Sequence, residues 1–293
     1  MSRNAEMPIG SPPFTYRNLE MPFANLKDFK LFYESHGAGE PIILIPGFAS
    51  GVWNWIRQTE ELAKDFRVVT FDPRGVGNSL ARNDSELKNL SMQTFVEDVR
   101  RLLDFLKIEK THILGASFGG FVAQEFALQF PERLHKLILA CTTAGGANHI
   151  GPSDEILRSF APDASSPIGE KIKRFIRPAF TGDFNRKHAD EVERVCQMRE
   201  TNEVAEAVYF AQLQTAYDLD LEDKIVAIET KTLVLTGDKD LIVPMENSLN
   251  LASKIPNATL KIVENGSHMF FIEKADEFNH IVREFCQNRL RQN

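Results

Sequence analysis

Gly115-Ala-Ser-Phe-Gly119 sets a serine between two glycines, directly after an apolar run ending at Leu114 and at the head of a helical pattern. Crowding explains the glycines: a serine on a tight strand-to-helix turn, its hydroxyl exposed above a sheet, needs neighbours without side chains. The helix start beneath it also favours negative charge developing at that spot. A serine hydroxyl is a weak nucleophile at neutral pH, so it needs a base, and the base needs an orienting group. Of seven histidines, His112 lies in an apolar strand pattern, and His36, His135, His149, His188 and His280 lie in polar or helical contexts. His268 instead follows a turn, Asn265-Gly266-Ser267, beyond a strand ending at Val263. The orienting carboxylate should lie between serine and histidine in the chain, at a strand end. Thr232-Leu-Val-Leu-Thr236 is followed by Gly237-Asp-Lys-Asp240, so Asp238 and Asp240 compete. Asp240 is preferred because it completes a G-x-x-D turn ahead of Pro244, whereas Asp238 is expected to cap backbone amides within the turn. Ser117, Asp240 and His268 then follow the order that nucleophile, acid and base take on an α/β sheet.

Those residues need strands and helices to position them. Pro41–Ile45, Arg67–Phe71, Thr111–Leu114, Lys136–Ala140, Thr232–Thr236 and Leu260–Val263 are short apolar runs. Near-continuous apolarity is what strands covered on both faces require. Lys30–Tyr33 alternates like an edge hairpin strand. Met92, Phe95, Val96, Val99, Leu102, Leu103 and Leu106 fall at helical spacing, with Ser91 as cap and Leu90 and Phe95 as its hydrophobic staple. A second helix is predicted from Phe118 to Phe130, stopped by Pro131. Such alternation builds a mostly parallel sheet flanked by helices. After Gly145-Gly146 the strand pattern stops, and 147–229 is helical and charged, including a helix predicted from Glu203 to Tyr217. The expected organisation is a polar arm over 1–22, a core made of 23–146 and 230–293, and a helical lid over 147–229. From the lid and the loops near the serine, Trp53, Phe175, Phe180, Tyr209, Phe210, Tyr217 and Met269 are candidates to line a mostly apolar pocket. For Trp53 and Trp55, anchoring the following helix to the core is the plainer account.

Composition narrows the rest. The chain has 293 residues, 43% hydrophobic and 26% charged, which suits one core carrying a smaller insertion. A net charge of −7 argues against a polyanionic partner, so no nucleic acid is expected. No apolar run reaches bilayer length, and Arg3, Glu6, Arg17 and Glu20 interrupt the first twenty residues, so neither a membrane span nor a secretory signal is expected. Cys141, Cys196 and Cys286 are odd in number and widely spaced, which suits a reducing, cytoplasmic setting without disulfides or a metal site.

Taken together, these motifs resemble the α/β-hydrolase superfamily, from about residue 25 to the C-terminus. Asp72-Pro-Arg-Gly-Val-Gly-Asn-Ser79 resembles that family's D-x-R-G-x-G-x-S loop, and is read as structural, with Arg74 paired internally. Ile45-Pro46-Gly47-Phe48 stands where the family usually writes His-Gly before its oxyanion residue, with Pro46 as a departure. The resemblance implies an oxyanion hole formed by the backbone amides of Phe48 and Phe118. It implies a serine hydrolase acting through an acyl-enzyme, with no metal or organic cofactor. Among the branches, the chain is most similar to small-molecule esterases and lactonases typified by 3-oxoadipate enol-lactonase, so the expected partner is a small ester or lactone. A C–C bond hydrolase or an acyltransferase would use the same triad, and a triad-bearing ligand receptor is the alternative of another class. Lys171, Lys173 and Arg174 make one helix face of the lid basic. A solvated face is the bland account, and attraction of an anionic substrate or an acidic carrier protein the functional one. Oligomeric state is unread.

Overall fold

The apolar runs pair into one eight-stranded sheet. The computed structural model describes residues 22–79, 87, 90–159 and 167–290. The polar arm lies outside the described residues except for Pro22. The strands are β1 (Phe23–Leu26), β2 (Phe29–His36), β3 (Pro41–Ile45), β4 (Arg67–Phe71), β5 (Thr111–Ala116), β6 (Leu134–Ala140), β7 (Thr232–Gly237) and β8 (Ala258–Val263). Their order across the sheet is β1-β2-β4-β3-β5-β6-β7-β8. β1 and β2 are antiparallel to each other, β2 is antiparallel to β4, and every later pairing is parallel. Every residue of β5 and β7 is buried, the polar Thr111, His112, Thr232 and Thr236 included, as strands covered on both faces require.

The helices are α1 (Thr59–Leu62), α2 (Met92–Phe105), α3 (Phe118–Gln129), α4 (Asp154–Ser159), α5 (Ile168–Ile176), α6 (Gly182–Lys187), α7 (Ala189–Thr201), α8 (Glu206–Tyr217), α9 (Met245–Lys254), α10 (Phe270–Glu273) and α11 (Ala275–Cys286). α2 starts at the predicted cap, where the Ser91 N–H donates to Thr94 Oγ1 at 3.3 Å. α3 is apolar on nearly every side and is wedged between the sheet and α2, packing Phe121, Val122 and Phe126 into the core. α4 to α8 all fall between β6 and β7.

α8 begins three residues later than predicted. Its forerunner is drawn into extended pairing, with Val76 and Val204 bridged, Gly77 N–H donating to Glu203 O at 2.7 Å and Ala205 N–H to Gly75 O at 2.9 Å. The loop after β4 takes the structural role expected of it. Arg74 makes a two-pronged contact with Asp98, Nε to Oδ2 at 2.9 Å and Nη2 to Oδ1 at 2.6 Å, and reaches Asp28 at 3.3 Å. Burial alone would lower the Arg74 guanidinium, but its hydrogen bonds and attraction to Asp98 more than offset that and raise it. Asp72 accepts from the amides of Val52 and Asn78 at 2.8 Å each, while burial pushes its carboxyl up.

Candidate active site

Parallel strands deliver the loops after their C-terminal ends to one edge of the sheet, where such folds place ligands. Gly47-Phe48 follows β3, Ser117 follows β5, Asp240 follows β7 and His268 follows β8, so that edge collects all four segments. Ser117 takes φ +52° and ψ −118° at the head of α3. A left-handed φ at a non-glycine residue costs energy and persists only where its surroundings fix it. Here Ser117 N–H donates to Ala140 O at 2.9 Å, and Ser117 O accepts from Gly120 N–H and from Thr142 Oγ1 at 2.8 Å each. Both flanking glycines are needed by close approach. A Cβ on Gly115 would stand 2.3 Å from Gly119 O, and one on Gly119 would stand 2.2 Å from Ile45 O.

The aspartate and histidine loops are laced together by backbone. Asp238 N–H donates to Val263 O at 3.3 Å and Lys239 N–H to Gly266 O at 2.8 Å. His268 Nδ1 lies 2.8 Å from Asp240 Oδ2. A carboxylate only accepts, so Nδ1 carries the proton and Nε2 is left as the basic nitrogen. Asp240 Oδ1 accepts the amides of Ile242 and Val243 at 2.9 Å each. The amide-capping role expected of Asp238 therefore belongs to Asp240. Asp238 is partly exposed, with one carboxylate oxygen 3.4 Å from Lys239 Nζ and the other buried without a donor among the described residues. Cys141 lies in reach of both loops: burial pushes its thiol well up, the Asp240 charge adds to that, and a hydrogen bond with the Ser117 backbone opposes it.

Gly47 lies against the serine, since a Cβ there would be 3.6 Å from Ser117 Cβ. Neither the Phe48 nor the Phe118 amide has an acceptor among the described residues. The Phe48 ring is met by Phe118 at 6.5 Å, Phe175 at 6.3 Å and Tyr209 at 4.9 Å between centroids. Met269, beside His268, is buried, and its N–H donates to Ala179 O at 2.9 Å. Phe180 is buried and stacks on Phe184 at 5.2 Å. Trp55 is fully buried against Phe271 at 5.4 Å, as an anchor would be, and Trp53 is buried in the same cluster.

Phe210 and Tyr217 do not join them. They are 56% and 86% exposed, on the side of α8 turned away from the loop that Tyr209 and Gln212 touch. Five buried amide or indole nitrogens, Trp53 Nε1, Asn54 Nδ2, Trp55 Nε1, Asn202 Nδ2 and Gln212 Nε2, have no acceptor among the described residues. Sequence reasoning did not single out Asn54, Asn202 or Gln212. No local signal singles out Gln212, since Glu206, Gln214 and Thr215 are also polar residues of α8. The basic face of α5 is partly answered from within, with Lys173 Nζ 3.2 Å from Glu193 and 3.7 Å from Glu170. No group of His, Cys, Asp or Glu that could hold a metal ion occurs among the described residues, and no helix there is long and apolar enough to cross a membrane.

The chain belongs to the α/β hydrolase family: the model of the alpha/beta hydrolase fold matches residues 40–275. It is accordingly an α/β-fold hydrolase. It is 28% identical to a poly(3-hydroxyalkanoate) depolymerase of Ectopseudomonas oleovorans, covering 94% of this chain and 93% of that protein. It is likewise 28% identical to a 2-hydroxy-6-oxo-6-phenylhexa-2,4-dienoate hydrolase of Comamonas testosteroni, covering 90% and 94% of the two chains. The solved enol-lactonase of Burkholderia xenovorans LB400 shares the fold, with a TM-score of 0.79 at 23% identity over 91% of this chain and 100% of that one.

Proposed function

We propose that the protein is a serine hydrolase that cleaves a small carboxylic ester or lactone through an acyl-enzyme. Ser117 Oγ attacks the carbonyl carbon while His268 Nε2 takes its proton. Asp240 holds the imidazole in register and stabilises the imidazolium. The Phe48 and Phe118 amides receive the negative charge on the tetrahedral oxygen. Collapse expels the alcohol, protonated by His268, and water repeats the sequence on the acyl-enzyme to release the acid. The observation that carries this reading is Ser117 at φ +52° on the sheet edge where Asp240 and His268 are already hydrogen-bonded. The insertion would serve as a lid that excludes water, with Phe175, Phe180, Tyr209, Trp53 and Met269 as its apolar lining.

C–C bond hydrolysis is the second reading, supported by the dienoate hydrolase relative. A panel of short-chain aryl esters, lactones and a 2-hydroxy-6-oxo-dienoate tests both. Steady turnover of esters or lactones is expected. Turnover of the dienoate alone would move the assignment to C–C cleavage, and a single turnover without recovery would favour a receptor.

A further inference from the structure

α8 turns two side chains of one face, three residues apart, onto the loop that follows β3. Tyr209 meets the Phe48 ring edge-on at 4.9 Å, and Gln212 Oε1 accepts the Ala49 N–H at 2.8 Å. Gln212 is fully buried, and its Nε2 has no acceptor among the described residues. Which way the amide points is fixed by chemistry, because only the oxygen can accept from Ala49 N–H. The contact joins positions 163 apart in the chain, one in the insertion and one in the core.

That bond falls on the peptide unit next to the proposed oxyanion donor. The Phe48–Ala49 peptide is held at both polar atoms, its N–H by Gln212 and its C=O by Ser50 Oγ at 3.1 Å. A peptide unit is rigid, so fixing this one leaves only φ and ψ of Phe48 to set the direction of the Phe48 N–H. The ring contacts around Phe48 restrict those. Ala49 itself takes φ +51°, a strained conformation that a flip of this peptide would relieve.

We infer that Gln212 is a positioning residue for the oxyanion hole, holding the Phe48 amide toward Ser117 from the insertion rather than from the core. The inference rests on the proposed hydrolytic reading. A purely structural role would need only the Gln212 oxygen on Ala49 N–H, yet the side chain also buries an Nε2 with no acceptor among the described residues. Holding one half of the oxyanion hole from α8 also means that the hole is complete only when that helix is docked.

The test compares Gln212→Met with Gln212→Glu, using p-nitrophenyl acetate turnover and thermal unfolding. Gln212→Met keeps the length and loses the acceptor. Because losing one oxyanion donor outright costs about 10²–10³ in rate, a loosened donor should lower kcat by about 10-fold or more. KM should stay near the wild-type value, while the melting temperature should fall only modestly, as the loss of one buried hydrogen bond does. Gln212→Glu keeps an oxygen within reach of Ala49 and should restore most of the kcat. Should the methionine variant fail to fold, Gln212→Asn, which falls one methylene short of Ala49, carries the same expectation. Unchanged kcat in the methionine or asparagine variant, or equal losses in the glutamate and methionine variants, would overturn the inference. A wild type that turns over no ester and takes up no fluorophosphonate would instead defeat the hydrolase reading itself.

Discussion

His268 Nδ1 donates to Asp240 Oδ2 at 2.8 Å, while the other oxygen of that carboxylate accepts two backbone amides. The carboxylate is therefore fixed before it fixes the histidine, and both of its oxygens are in use. Asp240→Asn should leave the fold intact and lower turnover by about 10⁴, since an amide cannot hold the same tautomer of the imidazole. Asp238→Asn should change turnover little, because that side chain meets Lys239 at the surface. Steady-state kinetics of the two variants checks this, and a larger loss at Asp238 would transfer the role.

Asp98 is predicted to matter for stability. It is buried and answers the buried Arg74 through two hydrogen bonds, whereas Asp28, the other partner of Arg74, is exposed. Removing one member of a buried pair typically costs about 3–5 kcal/mol, because the remaining charge is uncompensated. Asp98→Ala should approach that range in denaturant unfolding, and Asp28→Ala should cost less than about 1 kcal/mol, as exposed pairs do.

Acid should loosen the base of the insertion. Glu222 accepts from Lys254 Nζ at 2.7 Å, from Asn148 N–H at 3.0 Å and Nδ2, and from Asn250 Nδ2 at 3.3 Å. Lys254 foremost, then Asn148, pulls its carboxyl from 4.5 down to about 2. A depressed carboxyl contributes its stability in full above the unfolded value and loses it as pH falls toward the folded one. The melting difference between wild type and Glu222→Gln should therefore be constant near neutrality and shrink from about pH 4.5 toward pH 2. A difference that grows on acidification would contradict this.

Much of the fold was legible because local pattern and tertiary role coincide. β5 and β7 carry central apolar runs, Ile113-Leu114 and Leu233–Leu235, since both faces are covered, and Ser117, Asp240 and His268 are marked by their positions at strand ends. β1 was not legible, as the four residues Phe23–Leu26 are too few to show a period. Nor was the inner face of α8 evident: apolar residues on all sides gave no stripe, so Phe210 and Tyr217 were grouped with Tyr209. The start of α8 was misjudged because Glu203 and Ala205 spend their backbone groups on Gly75 and Gly77, a partner more than a hundred residues away. Gln212 is the sharpest case. Its contact with Ala49 depends on how the insertion docks, which no local spacing encodes.

The central claim, a nucleophilic Ser117, is tested most directly by reaction with a fluorophosphonate followed by intact-mass and peptide analysis. A single adduct on Ser117 is expected, with none on Ser117→Ala. Ester turnover by that variant should fall by on the order of 10⁶, as loss of such a nucleophile does elsewhere. An adduct on another residue, or an alanine variant that keeps more than a few per cent of wild-type turnover, would contradict the account.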